Sequence, residues 1–321
     1  MTTGRVTEPV TETVFTHVAV LTREVAEWLH PEAGKRYLDG TLGGGGHSEE
    51  ILTRSHPDGR VLGLDRDDEA IAAARERLRR FEGRWIARQA SFANAKQILA
   101  EIGWEGVDGV ILDLGVSSHQ VDTPERGFSF RADAKLDMRM DRRQSLDAQK
   151  ILNSFSVEEL ERIFRDYGEE RHARGIARAV VAERRQRPIH MTGELVKIIE
   201  GVKRAGRREH HPATQVFQAL RIAVNQELQQ LETFFETGFE ILRPNARMAV
   251  ISFHSLEDRI VKRAFRKWSR ACLCPPRVLR CQCGWSQKVS LLTKKPIAPS
   301  ADEIQNNPRA RSAKLRVVER L

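Results

Sequence analysis

The sequence of 321 residues has no long apolar run, and its mean hydropathy is −0.47. A transmembrane helix needs roughly 20 consecutive apolar residues, so a membrane partner is not expected. The first residues also lack the basic and then apolar pattern of a secretory signal. The sequence therefore predicts a soluble, cytoplasmic protein with a disordered lead over residues 1–16.

Cysteine is scarce, and all four cysteines lie within twelve residues, as C-x-C-x6-C-x-C: Cys272, Cys274, Cys281 and Cys283. The rest of the chain can have no disulfides, and a cytoplasmic location disfavours them within the cluster as well. Four clustered thiols are a donor set for zinc, although zinc-binding pairs more often have C-x2-C spacing. Two interpretations stay open, a zinc site and a reduced, hydrophobic or redox-sensitive loop.

Acidic residues are missing from residues 259–295, a stretch that contains eleven lysines and arginines. The whole chain has a net charge of +9 and an isoelectric point of about 9.7. Trp268 and Trp285 lie in the same stretch, and basic residues interleaved with aromatic ones suit a phosphate backbone with exposed bases. We expect a polyanionic partner, although a merely basic enzyme would have the same overall charge.

Four consecutive glycines, at positions 43–46, stand between an apolar run that ends at Leu38 and a helix-prone run that begins at Ser48, a candidate helix cap. Such a loop lets a nucleotide cofactor approach the backbone and the helix N-terminus. The loop ends in Gly-His-Ser instead of Gly-Lys-Ser/Thr, which argues against a P-loop. Asp65, at the end of the next predicted strand, could accept hydrogen bonds from the ribose of NAD or of S-adenosylmethionine.

Two further carboxylates favour S-adenosylmethionine over NAD. Asp39 directly precedes the glycine loop, where it would repel a pyrophosphate but suit a cofactor with an amino group and a sulfonium. Asp113 ends the fourth predicted strand, where methyltransferases that act on exocyclic amines bring the amine to the methyl group. The alternative for Asp39 is that it caps the loop by accepting backbone N–H bonds.

Apolar strands alternate with helices in the first third of the chain, with strands predicted near residues 35–39, 61–64, 85–92 and 107–115. This alternation is typical of a parallel sheet covered on both faces. It stops between Arg126 and His211, where only helices are predicted, and resumes with a long helical region, a strand and a final edge strand. The sequence predicts an α/β, doubly wound, Rossmann-like sheet with an inserted all-helical domain: core 17–125, insert 126–211 and core 212–321.

Several motifs, among them "YLDGTLGGGGHS", "ILDLGVSSHQVD", "ERGFSF", "ISFHSLEDRIVK" and "NPRARSAKLRV", occur between His17 and Val317. Together they resemble the ribosomal RNA small subunit methyltransferase H family. The resemblance implies a class I S-adenosylmethionine-dependent methyltransferase fold. It also implies methyl transfer to the exocyclic N4 amine of one cytidine, conventionally numbered 1402, in the 16S rRNA of the small ribosomal subunit.

The resemblance further implies which residues bind S-adenosyl-L-methionine. Asp65 would hold the ribose and Phe92 would lie beside the adenine, while the other contacts would come from Gly45, Gly46, His47, Asp113 and Gln120. No metal is expected to be required for methyl transfer, because the sulfonium methyl is already electrophilic.

The catalytic difficulty lies in the amine, whose lone pair is delocalised into the cytosine ring. Asp113 is the first candidate to accept a hydrogen bond from this amine, with Ser117 in support. His254, at the end of a later strand, is a candidate for base contact or proton removal. The alternatives are that Asp113 contacts only the cofactor and that His254 makes only a structural hydrogen bond.

Three rival functions remain compatible with parts of the sequence. A DNA amine methyltransferase would be expected to have Asn/Asp-Pro-Pro-Tyr/Phe after the fourth strand, where "DLGVSS" stands. An NAD-dependent oxidoreductase would need a hydride-transfer site, which the sequence does not reveal. A non-catalytic RNA-binding protein would differ only in turnover. The sequence is compatible with a monomer or a homodimer.

Overall fold

The computed structural model describes residues 19–203, 211–275 and 280–321, so the predicted lead over residues 1–16 lies outside the described residues. The strands are β1 Arg36–Asp39, β2 Arg60–Asp65, β3 Trp85–Gln89, β4 Val107–Asp113, β5 Leu242–Ser252, β6 Val289–Leu291 and β7 Lys314–Arg320. They form one sheet in the order β3-β2-β1-β4-β5-β7-β6.

Strands β1 to β5 pair in parallel, and β7 runs antiparallel to both β5 and β6. The predicted parallel strands are confirmed, and their apolar character reflects burial on both faces. In β4, for example, Val110, Ile111 and Leu112 are fully buried. The predicted position of the last strand is wrong, because β7 lies inside the sheet with Leu315 and Val317 buried, and the short β6 forms the edge.

In the described part of the chain the α-helices are α1 Thr22–Leu29, α2 Gly46–Arg54, α3 Asp68–Arg77, α4 Ala95–Glu101, α5 Ser118–Asp122, α6 Ala148–Ser154, α7 Val157–Gly168, α8 Ala173–Arg184, α9 Thr192–Val202, α10 Thr214–Asn225, α11 Glu227–Thr237, α12 Ser255–Trp268 and α13 Ala301–Asn306. None of these helices is both long and apolar enough for membrane crossing.

Helices cover both faces of the sheet. On one face α1, α2 and α3 pack against the strands, with Ile51 and Leu52 of α2 in the core. On the other face α4, α11 and α12 do the same, through residues such as Phe235 and Trp268. Trp268 is fully buried there, so it is not available to stack on RNA bases as its sequence context suggested.

Helices α6 to α10 surround a third core of their own, in which Leu160 and Phe164 of α7 meet Phe217 and Leu220 of α10. This cluster occupies the stretch where the sequence predicts only helices. Helix α10 begins after residue 211, the predicted end of the insert, yet its apolar side contributes to this core.

The predicted long helical region after residue 212 is broken into α10 and α11 at Gln226, which has a φ of 51°. The fully buried Asn225 explains the break. Its Nδ2 donates to the carbonyl of Met138, and its Oδ1 accepts the N–H of Met140, each over 2.8 Å. The break directs Glu227, the first residue of α11, toward the carboxyl ends of the strands.

Candidate active site

A cleft lies at the carboxyl ends of β1, β2 and β4, where open α/β sheets bind their ligands. Measured out to its open mouth, it contains about 1080 Å³ of space. Five sequence-predicted residues line this cleft: Asp65, Phe92, Asp113, Ser117 and Gln120.

The chain after β1 approaches the cleft at Gly40, which has no room for a side chain. A Cβ atom at Gly40 would lie 2.4 Å from Cδ2 of Leu112 and 2.9 Å from Cβ of Phe92. Glycine is therefore required here by close packing between β4 and the turn that carries Phe92. The ring of Phe92 in turn packs edge-on against Phe234, with the centroids 5.7 Å apart.

The glycine loop is held between the ends of β2 and β4. Gly43 has a φ of 48°, a conformation that favours glycine, and its N–H donates to Oδ2 of Asp65 over 2.7 Å. Thr41 accepts the backbone N–H of Asp113 on its Oγ1 over 2.6 Å. Gly43 and Thr41 both line the cleft. The loop thus positions the two carboxylates that the sequence singled out.

Gly45, Gly46 and His47 lie at the start of α2 and not on the cleft surface. A Cβ atom at Gly45 would lie 3.3 Å from Cβ of Ala74 in α3, and one at Gly46 would lie 2.8 Å from Cβ of Ala19. These two glycines therefore let α2 pack closely against its neighbours. Their contact with S-adenosylmethionine stays a prediction.

His47 is buried beneath the loop, with Nε2 3.4 Å from Oδ2 of Asp113. Burial alone would lower the pKa of His47, but the carboxylates of Asp113 and Asp39 outweigh it and raise the pKa. The other oxygen of Asp113, Oδ1, is buried and has no hydrogen-bond partner among the described residues. This oxygen therefore has an unfilled acceptor position.

Asp39 is only 1% exposed and does not line the cleft. Its oxygens accept the N–H of Thr41 over 3.2 Å and the hydroxyl of Ser48 over 2.7 Å. Burial raises the pKa of Asp39, against the opposing effects of His47 and Ser48. The structure thus favours the capping interpretation of Asp39, and Ser48 lies inside α2, whose N-cap is Gly45.

Asp65 ends β2 with its carboxylate fixed by the backbone. Oδ1 accepts the N–H of Asp67 over 2.9 Å, and Oδ2 accepts that of Gly43. Burial raises the pKa of Asp65 to about 6, although the two backbone N–H groups lower it. Each carboxylate oxygen can accept a second hydrogen bond, so Asp65 can still receive both hydroxyls of a ribose.

Gln120 is held in place by a buried network that the sequence did not reveal. Its Nε2 donates to Oδ2 of Asp67 over 2.8 Å. Arg126, which is 2% exposed, also donates to Asp67, over 2.7 Å, and to Glu69, over 2.6 Å. Arg126 further donates to the carbonyl of Arg139, so this network connects the sheet to the segment that leads into the helical cluster. In the sequence, the only sign of this network was Arg126 itself, the arginine of "ERGFSF".

The two remaining catalytic candidates both cap helices. Ser117 caps α5, with its Oγ accepting the N–H of Gln120 over 3.2 Å. His254 caps α12, with its Nδ1 accepting the N–H of Glu257 over 3.4 Å. Its Nε2 lies 3.1 Å from Oε1 of Glu257. Glu257, and not His254, reaches the cleft surface.

Glu257 and Glu227 are cleft residues that sequence reasoning missed. Burial would raise the pKa of Glu257, but His254 and Arg221 outweigh it and lower the pKa. Arg221 also binds Glu227 through two hydrogen bonds of 2.9 and 2.8 Å. Their signal was present in "NQEL" and "HSLEDR", but the carboxylates meet only because α11 and α12 begin at the same cleft.

A sheet in this strand order, with one reversed strand and a glycine loop after β1, defines the class I methyltransferase fold. The chain belongs to the MraW methylase family, whose model matches residues 14–321. The family predicted from the motifs is thereby confirmed.

Similar curated proteins match nearly the whole chain. The "Ribosomal RNA small subunit methyltransferase H" of Trichlorobacter lovleyi is 51% identical over 96% of this chain and 99% of its own length. The protein of the same name from Syntrophotalea carbinolica is 50% identical over 97% of this chain and 100% of its own.

Solved structures with partial similarity include an rRNA methylase from Streptococcus thermophilus, 10% identical with a TM-score of 0.38 over 94% of this chain and 93% of that one. Another is TrmN from Thermus thermophilus, 13% identical with a TM-score of 0.42 over 94% of this chain and 48% of that one.

Proposed function

We propose that this protein transfers a methyl group from S-adenosylmethionine to the N4 amine of a cytidine in the 16S rRNA of the small ribosomal subunit, in the cytoplasm. The observation that carries the proposal is the pair of cleft carboxylates, Asp65 and Asp113, at the ends of β2 and β4. These strands flank β1, so their ends are about 10 Å apart by strand spacing. The name that the two curated relatives share supports the choice of RNA.

The donor would lie across the ends of the strands. Asp65 would accept hydrogen bonds from the ribose hydroxyls, and Phe92 would pack beside the adenine. Gln120, fixed by Asp67, would bound the pocket on the far side. The sulfonium would then lie near Asp113, the carboxylate with an unpaired oxygen.

The target amine would then approach Asp113 from the cleft mouth. The carboxylate of Asp113 would accept a hydrogen bond from the N4 amine, which localises the nitrogen lone pair toward the methyl group. Alignment of well-oriented reactants contributes roughly 7–11 kcal/mol, and the proton leaves after transfer. Ser117 would support this geometry. Glu257, which lies beside His254, would accept the released proton.

RNA would be held by the helical cluster and by the basic stretch 259–295. Helix α12 presents several basic side chains to solvent, including Arg259, Lys262, Arg263, Arg266 and Lys267. Trp285 packs beside Lys267 and Lys288, with 5.9 and 5.3 Å from each ammonium to the ring centroid. It donates its indole N–H to the carbonyl of Arg270.

The proposal is tested by incubating the protein with labelled S-adenosylmethionine and either small subunits, naked 16S rRNA or DNA, and mapping the labelled nucleotide. Label on N4 of a single cytidine in RNA supports the proposal, and label on DNA or on another atom contradicts it. Asp113→Ala is expected to lower the methylation rate about 100-fold, as for loss of one hydrogen-bonding group that stabilises the transition state. Asp166→Asn, an exposed carboxylate of α7, is the matched control.

Binding of the donor separates the two roles of Asp113. If Asp113→Ala keeps donor affinity and loses turnover, the carboxylate acts on the amine. If affinity falls and turnover at saturating donor is kept, Asp113 contacts only the cofactor. Near wild-type values for both would show that Asp113 has neither role.

A further inference from the structure

The segment between α12 and β6 brings all four cysteines together. The Sγ atom of Cys281 lies 3.4 Å from that of Cys272, 3.9 Å from that of Cys274 and 3.6 Å from that of Cys283. The Sγ atoms of Cys272 and Cys283 are 3.7 Å apart. All four sulfur atoms lie within 4.8 Å of one another.

We propose that these four thiolates bind one Zn²⁺ ion. With Zn–S bonds of about 2.3 Å, the edges of a tetrahedral four-thiolate site measure about 3.8 Å. Four of the six sulfur–sulfur separations, at 3.4 to 3.9 Å, match these edges, and the other two are at most 4.8 Å. They are far longer than the roughly 2.05 Å of a disulfide, and the cysteines are free thiols.

The local backbone also suits thiolate ligands. The N–H of Cys274 points to Sγ of Cys272 over 3.3 Å, and that of Leu273 points to Sγ of Cys283 over 3.4 Å. The N–H of Gln282 points to Sγ of Cys274 over 3.4 Å. Such bonds from outside the ligand set orient metal ligands and stabilise their charge. The C-x-C spacing, unfavourable on statistical grounds, is therefore compatible here with a compact four-sulfur site.

The electrostatic surroundings favour the same ion. A Zn²⁺ ion with four thiolates carries a net charge of −2, and residues 259–295 contain no acidic residue to oppose it. Arg270 and Arg280 flank the cluster in sequence, and neighbouring basic groups favour thiolate over thiol. Four soft thiolate ligands favour zinc over magnesium or calcium.

The ion would have a structural role. Helix α12 has 14 residues, a length of about 21 Å, and its first turn lies at the cleft while its last precedes Cys272. The two ends of this segment meet where the N–H of Lys288, just before β6, donates to the carbonyl of Trp268, the last residue of α12, over 2.8 Å. Zinc would close the loop between α12 and β6 and fix the basic residues that flank it.

The test measures zinc in the full chain, expressed with zinc and purified under reducing conditions. About one zinc per chain is expected, with loss of nearly all of it in Cys272→Ser/Cys281→Ser and retention in Ser286→Ala. Replacement of zinc by Co²⁺ should give the intense visible absorption of tetrahedral thiolate coordination. RNA affinity of the double cysteine variant is expected to fall about tenfold at constant donor affinity, through disorder of phosphate-binding groups.

Wild-type protein that holds no zinc after exposure to Zn²⁺ under reducing conditions would overturn the proposal. So would bound iron in place of zinc, or a Co²⁺ spectrum of octahedral type. Rapid reaction of all four thiols with a disulfide reagent, without release of metal, would also overturn the proposal. These wild-type measurements decide the matter even if the cysteine variant does not fold.

Discussion

Asp65 provides the sharpest test of the cofactor site, because its ionisation and its ligand are coupled. Burial raises the pKa of Asp65 to about 6 in the free protein. Ribose hydroxyls donate to the carboxylate, so binding favours the ionised form. Donor affinity should therefore be constant above pH 7 and fall about tenfold for each pH unit below 6.

The variant Asp65→Asn removes this titration. It should bind the donor about 10- to 100-fold more weakly at pH 8, since hydrogen bonds to charged groups contribute roughly 1.5–3 kcal/mol. Its affinity should no longer change between pH 7 and 5. Calorimetric titration or equilibrium dialysis with labelled donor measures both effects, and Asp166→Asn should keep the wild-type pH profile.

Stability should change in the opposite direction. The folded pKa of about 6 lies above the ordinary value of 3.8, so protonation favours the folded state. The ionised carboxylate therefore costs stability above pH 6, and this cost disappears below pH 3.8. Two pKa units correspond to about 3 kcal/mol. Solvent in the cleft reduces this cost, and Asp65→Asn also loses a hydrogen bond from the backbone. The net gain in unfolding free energy expected from the substitution is therefore about 1 kcal/mol.

Asp65→Asn should thus raise the unfolding free energy of the donor-free protein at pH 8 while it weakens donor binding. Denaturant unfolding at pH 8 measures the first change. Wild-type affinity that stays flat from pH 8 to 5 would refute the assignment of Asp65 to the ribose. A variant that loses both stability and binding would indicate a merely structural carboxylate.

Three further predictions concern other parts of the molecule. Arg126→Leu should lower the unfolding free energy by about 3–5 kcal/mol, because it leaves Asp67 buried without its partner. The exposed pair of Arg79 and Glu76 provides a control, since Arg79→Leu should cost less than about 1 kcal/mol. Equal losses in denaturant unfolding would contradict the burial argument. Glu257→Gln should lower single-turnover methylation while donor affinity stays within about twofold, and unchanged turnover would exclude Glu257 as the proton acceptor. RNA affinity in filter binding should fall about 100-fold between 50 and 200 mM salt if about five phosphates are contacted, and a flat response would contradict the basic stretch as an RNA surface.

Much of the fold could be predicted because its signals are local. The apolar strands and the glycine run each lie within a few residues, and they predicted β1 to β4 and the cleft at their ends. The break at Gln226 could not be predicted, because it depends on hydrogen bonds from Asn225 to a segment more than 80 residues away. The inner position of β7 likewise depends on β6, which has only three residues.

The candidate site shows the same limit. Asp65 and Asp113 were found because each ends a strand, and strand ends meet at one edge of a parallel sheet. Asp39 satisfies the same rule, yet Ser48 and Thr41 occupy its oxygens, a fact that only three-dimensional contacts reveal. Glu227 and Glu257 sit at helix starts far apart in sequence, so no spacing rule could join them.

Helix α12 is one continuous helix of 14 residues that runs from the candidate active site to the basic stretch proposed to hold RNA. Contacts spread over a surface would let a short oligonucleotide slide along it. The length of α12, about 21 Å, instead sets a fixed distance that the substrate must span. We expect a hairpin with only the target cytidine and its neighbours to be methylated poorly. A hairpin long enough to reach both ends of α12 should restore activity. Activity should rise abruptly at that length and not gradually with each added base pair.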